Sequence, residues 1–171
     1  MTDQQTETQT TRGITFYEAG EAPSLDASGM MTPPQLDPSI YTELDLKPLA
    51  AGSKTTVLFR GEGPSAFSLV YAWFGPGYRL PRHSHSADCL YYVVSGEAIL
   101  GRRAVGAGSG FFVKAGQPYT YVAGADGVEV LEFRQSTSFD MQVLDQTVER
   151  WMPIVAAAVA NQATWIEQHP A

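Results

Sequence analysis

The chain has 171 residues, enough for one domain with a sizeable core. Hydrophobic residues make up 44% and charged residues only 17%, which excludes a disordered polymer and suits a β-rich chain with much buried surface. A net charge of −7 without any Lys/Arg-rich run excludes binding to nucleic acid through phosphate contacts.

Residues 1–12 are polar and rich in Thr and Gln, the composition of a disordered tail. They lack the basic and apolar regions of a signal peptide, and no apolar run reaches membrane-spanning length, so a cytoplasmic location is expected. The single Cys, which allows no internal disulfide, agrees. Residues 13–39 carry Pro, Gly and Ser among scattered apolar groups and read as an arm leaning on the body.

From 40 to 136, short runs rich in Val, Tyr, Phe and Leu alternate with Gly and Pro clusters, the pattern of an all-β sandwich or barrel. The expected strands are 41–46, 55–60, 66–74, 79–82, 89–95, 98–102, 111–114, 119–122 and 128–134. In "AFSLVYAWF", Phe67, Leu69, Tyr71 and Trp73 share one face, and Ser68, Val70, Ala72 and Phe74 the other. Both faces are fairly apolar, so one is expected in the barrel and the other under a second layer or a partner copy. Residues 137–171 form an extension in which Val148, Trp151, Met152, Val155, Val159 and Ile166 recur at helical spacing, predicting an amphipathic helix over 146–167.

Two motifs carry chemistry. Gly77 is followed by five residues, then His83 and His85, then Cys89 after three more and Gly96 after a further six. Gly108 is followed by five residues, then Lys114, Gly116 and, two residues on, Tyr119. On a strand, His83, His85 and Cys89 share a face, and two His at that interval can chelate one ion.

These spacings resemble the two motifs of the cupin superfamily, over roughly residues 50–136. The resemblance implies a double-stranded β-helix (jelly roll) with an N-terminal arm and a C-terminal helix. It also implies a pocket for a small molecule, often in a homodimer; charge and hydropathy lead us to expect neither nucleic acid nor a membrane as partner. The usual site of the family is three His and one Glu around Fe, Mn, Ni or Zn. Here the Glu position holds Cys89 and the third His position holds Tyr119. The remaining histidine, His169, lies near the C-terminus.

Three readings follow. In one, His83, His85 and Cys89 bind a divalent metal (Zn, Fe or Cu), with Tyr119 as a fourth ligand or acid. That centre would serve an oxygenase, such as a dioxygenase, or a lyase/isomerase on an aromatic or apolar carbonyl compound. In the second, the pocket is metal-free, and His, Cys89 and Tyr119 act directly as catalytic groups. In the third, the pocket has lost its metal and only binds or senses a ligand. A lone Cys in a β-core is also an ordinary buried hydrophobe. Asp88 lies on the opposite parity from Cys89 and reaches the site only through a bulge.

Strand parity adds Tyr91, Val93, Phe111, Val113, Tyr121, Tyr71 and Trp73 as pocket candidates. Of Glu129 and Glu132, on opposite faces of "VEVLEFR", one could face the cavity. Arg79, Arg82, Arg102 and Arg103 could hold a carboxylate at the rim.

Overall fold

A computed structural model describes residues 10–11 and 13–168. The tail therefore falls outside the described residues except for Thr10–Thr11 (β1), which pair with Ile14–Thr15 (β2). His169 falls outside them as well.

The arm is ordered and built into the body. It forms a short helix at Leu25–Ser28 (α1) and the strand Met31–Thr32 (β3). Where a strand was expected from Tyr41, the chain is helical at Pro38–Glu43 (α2). The Asp37 carboxylate accepts from the Ser39 amide at 2.9 Å, and Pro38 supplies the first helical residue. Such a cap followed by Pro is a helix start that overrides the β-propensity of Tyr and Thr.

The body comprises Ser53–Arg60 (β4), Ser68–Phe74 (β5), His83–His85 (β6), Cys89–Leu100 (β7), Arg103–Gly106 (β8), Gly110–Val113 (β9), Val122–Arg134 (β10) and Phe139–Val143 (β11). The larger sheet runs β4-β5-β10-β7-β8, with β9 also on β7, and the smaller runs β3-β11-β6. The segment expected as a strand at 79–82 makes only a single bridge, Arg79 to Val122, and the regular pairing begins at His83. The two runs 89–95 and 98–102 merge into one long β7, which is irregular around Val94 and Gly96. Gly96 has φ 65°, and a Cβ there would stand 2.1 Å from the Gly127 carbonyl oxygen, so only Gly permits this crossing. The strands β8 and β11 were not anticipated.

The face assignment in β5 holds. Ser68, Val70, Ala72 and Phe74 turn into the barrel and are buried. Cys89, Tyr91, Val93, Val128 and Val130 face the same interior and form the main core. On the outer face, Trp73 is covered by the helix Val148–Gln168 (α3) through Ala158 and Trp165. Trp165 is fully buried and its indole N–H donates to the Pro76 carbonyl at 3.0 Å. The ring fills the space beside Gly75, where a Cβ would lie 2.2 Å from it. None of the helices is long and apolar enough to cross a membrane among the described residues.

Candidate functional site

The strand β6 sets the two histidines by pairing on both sides. His85 and His83 stand opposite Met141 and Val143 of β11. His83 also exchanges backbone hydrogen bonds with Tyr119 at 3.0 and 2.9 Å. Both rings turn to one side with centroids 4.9 Å apart, and the Tyr119 ring lies 4.4 Å from that of His83.

The tautomers follow from the partners. The Nδ1 of His83 lies 2.7 Å from the Pro81 carbonyl, and that of His85 2.7 Å from the Asp140 carbonyl. A carbonyl only accepts, so each Nδ1 carries the proton and each Nε2 keeps its lone pair. Burial pushes the His83 pKa down to about 4, and the neighbouring His85 adds to this. Burial, and then the charge of Arg134, also lowers that of His85. Both imidazoles are neutral at pH 7.

The strand β10 brings in what sequence reasoning left open or missed. Glu132 is the acid that faces the interior. Glu129 lies on the other face and accepts from Tyr71 and Ser95, each at 2.8 Å. Arg134, two residues after Glu132 and so on the same face, was missed as a site residue, although this parity could have found it. It is 1% exposed and donates through Nη1 to Glu132 at 2.6 Å and through Nη2 to the Tyr91 hydroxyl at 3.3 Å. Its guanidinium also lies over the Phe139 ring at 4.1 Å. The Tyr91 hydroxyl in turn bonds that of Tyr119. A polar chain thus runs Glu132–Arg134–Tyr91–Tyr119 and ends beside His83.

Between the sheets lies a cavity of about 170 Å³. Its polar lining includes His83, His85, Tyr119, Tyr121, Glu132 and Arg134, and its apolar wall includes Phe74, Phe139 and, from the arm, Leu25 and Met31. Two polar atoms are buried with no partner among the described residues, the Tyr121 hydroxyl and the Arg134 Nε. Such groups cost about 1–3 kcal/mol each.

The other expected residues lie elsewhere. Cys89 turns inward but belongs to the apolar core and does not line the cavity. Burial, aided by Glu132, pushes its thiol up to about 12. Tyr91, Val93, Phe111 and Val113 support the core behind the cavity. Tyr71 and Trp73 pack on the outer side toward α3. Asp88 is exposed and accepts from the Ala115 amide at 2.7 Å, away from the histidines. Arg79, Arg82, Arg102 and Arg103 are exposed and do not line the cavity, where Arg134 is the cation.

The metal centre implied by the sequence resemblance does not fit these side chains. Tyr119 is engaged by Tyr91, Glu132 is engaged by Arg134, and Cys89 lies in the apolar core outside the cavity lining. Among the described residues, no group of three or more His, Cys, Asp or Glu is placed to hold an ion.

No protein-family model and no curated protein matches the sequence. Solved structures do. The polyketide cyclase RemF from Streptomyces resistomycificus aligns at 21% identity and TM-score 0.50, over 63% of this chain and 84% of that one. The lyase DddQ from Ruegeria pomeroyi, which acts on DMSP, aligns at 22% and 0.43, over 48% and 46%. A deletion mutant of Bacillus subtilis oxalate decarboxylase aligns at 22% and 0.47, over 54% and 28%. The chain spans less than half of the lyase and under a third of the decarboxylase. Likeness at this identity is a likeness of fold.

Proposed function

The chain has the cupin fold, and from that premise we propose that it is a small-molecule enzyme whose cavity takes a compact, mainly apolar carbonyl compound. Its chemistry is proton transfer by neutral histidine, in the manner of a lyase or isomerase. The observation that carries this reading is the pair of Nδ1–H bonds to the Pro81 and Asp140 carbonyls. They leave two Nε2 lone pairs as the basic atoms of the cavity.

His85 is the less deeply buried of the two and serves as the base. It takes a proton from the carbon next to the carbonyl, and the C–H electron pair moves onto the carbonyl oxygen. Return of the proton to another carbon gives isomerisation, and departure of a neighbouring group gives elimination. His83, with the lower basicity, accepts a hydrogen bond from substrate and orients it.

Exchange of α-protons in deuterium oxide, followed by NMR over a panel of small ketones and aldehydes, tests this. The protein is expected to catalyse exchange and His85→Ala to lose it. A compound that binds in the cavity without exchange in any case supports the rival reading, a binding or sensing cupin, which the weak basicity of His83 favours.

We also propose that the protein works as a homodimer. Leu90 stands opposite Phe112 and Phe133, and Phe133 opposite Leu69, on the outer side of the larger sheet. Leu90, Phe112 and Phe133 are all exposed, a patch of the kind that closes against a second copy.

A further inference from the structure

From the two unpartnered buried atoms we infer that Arg134 Nε–H and the Tyr121 hydroxyl form an oxygen-binding subsite. It takes the carbonyl oxygen of a substrate whose part inside the cavity is about the size of a single six-membered ring with a short substituent. The inference rests on the proton-transfer reading of the same cavity and names its substrate class.

Three observations converge. Arg134 is held from both sides, Nη1 by Glu132 and Nη2 by Tyr91, and Nε is its one nitrogen without a partner among the described residues. Tyr121 is 1% exposed, wedged by its ring between Phe74 and Phe111, and its hydroxyl meets no partner among the described residues. Both residues line the cavity that holds His83 and His85. Buried donors left open in a native interior are satisfied by a ligand or a water.

Charge selects the oxygen. Glu132 already balances Arg134, so the pair brings no net charge to the cavity. A full carboxylate would face Glu132. A neutral carbonyl that becomes negative only as its α-proton leaves gains most from two fixed donors. Volume selects the rest, since a cavity of about 150 Å³ accommodates a benzene ring and this one is about 170 Å³.

The step balances. The α-proton goes to His85 Nε2, and the C–H electron pair goes to the oxygen held by Arg134 and Tyr121. The same proton, delivered elsewhere on the substrate, restores neutral His85.

The test is binding of para-fluorophenol to the full chain, observed by fluorine NMR, because its ring fits the cavity and its oxygen mimics an enolate. Wild type is expected to bind it, and Tyr121→Phe and Arg134→Lys to weaken binding at least tenfold. Because the Tyr121 hydroxyl has no structural partner, Tyr121→Phe should melt at the wild-type temperature or above, where a structural role would lower it. Unchanged binding in Tyr121→Phe, or failure of wild type to bind at millimolar probe, overturns the subsite. If α-proton exchange persists in that case, the proposed function stands without it. Tyr121-dependent binding in a protein that exchanges no α-proton keeps the subsite and removes the enzyme.

Discussion

Glu132 and Arg134 sit two residues apart on the inner face of β10 and form a 2.6 Å ion pair at the barrel centre, with side chains 12% and 1% exposed. Breaking such a pair leaves one charge buried alone. Glu132→Gln should therefore lose about 3–5 kcal/mol of stability. The double variant Glu132→Gln, Arg134→Met should recover much of that loss, because no charge remains. Urea unfolding of both variants decides it, and equal losses would refute the pairing.

Acid should destabilise the protein through His83. Its pKa is about 4 folded against an ordinary 6.5, so between these values the unfolded chain binds more protons than the folded one. Stability is then flat above 6.5 and falls as pH drops towards 4, by up to about 3 kcal/mol. Urea midpoints across that window should slope this way in wild type and less steeply in His83→Gln, where His85 keeps its own smaller share of the slope. An equal slope in the variant would assign the effect elsewhere.

Cys89 should be chemically silent. The thiol is 1% exposed and burial holds its pKa near 12, so neither access nor the thiolate is available. Alkylation by iodoacetamide should be at least a hundredfold slower than in urea-unfolded chain. A native rate close to the unfolded one would place the thiol at an accessible surface.

Metal analysis by plasma mass spectrometry, on protein purified without chelator, should find metal well below stoichiometric, because no group of three or more His, Cys, Asp or Glu among the described residues is placed to hold an ion. Near-stoichiometric metal that drops in Cys89→Ala would restore the centre of His83, His85 and Cys89. Metal retained there but lost in His83→Ala would assign it to the histidines with another donor.

Light scattering should report a dimer. Leu90→Glu puts a charge in the exposed apolar row formed with Phe112 and Phe133 and should raise the dissociation constant at least a hundredfold. A monomeric wild type would leave that row for another partner.

Much of the fold was legible because strand parity and glycine spacing are local. The period of "AFSLVYAWF" gave both faces of β5, and the spacing from Gly77 to Gly96 placed His83 and His85 on one side of β6. What escaped was set by distant partners. β11 pairs with β6 and β3, and nothing in its own residues Phe139–Val143 announces that. Tyr119 was read as a possible ligand from its motif position, yet its hydroxyl is bound to Tyr91, a contact across the barrel. Arg134 shared a face with Glu132 on paper, but its burial depends on the enclosing sheets. The helix at Pro38 carries its own local signal, the Asp37 cap before Pro38, against the β-propensity of Tyr41 and Thr42.

The tryptophan beside Gly75 reaches further than the seam it closes. The Trp165 and Tyr78 ring centroids lie 5.4 Å apart, those of Tyr78 and Phe74 5.1 Å, and Phe74 meets Tyr121 edge-on at 5.8 Å between centroids. Tyr78, Phe74 and Tyr121 are themselves cavity wall. The C-terminal helix is therefore a buttress, and the pocket's shape is borne from outside by a residue that never meets the ligand. A chain cut before Trp165 would keep every polar group of the site and lose the wall that holds them in register.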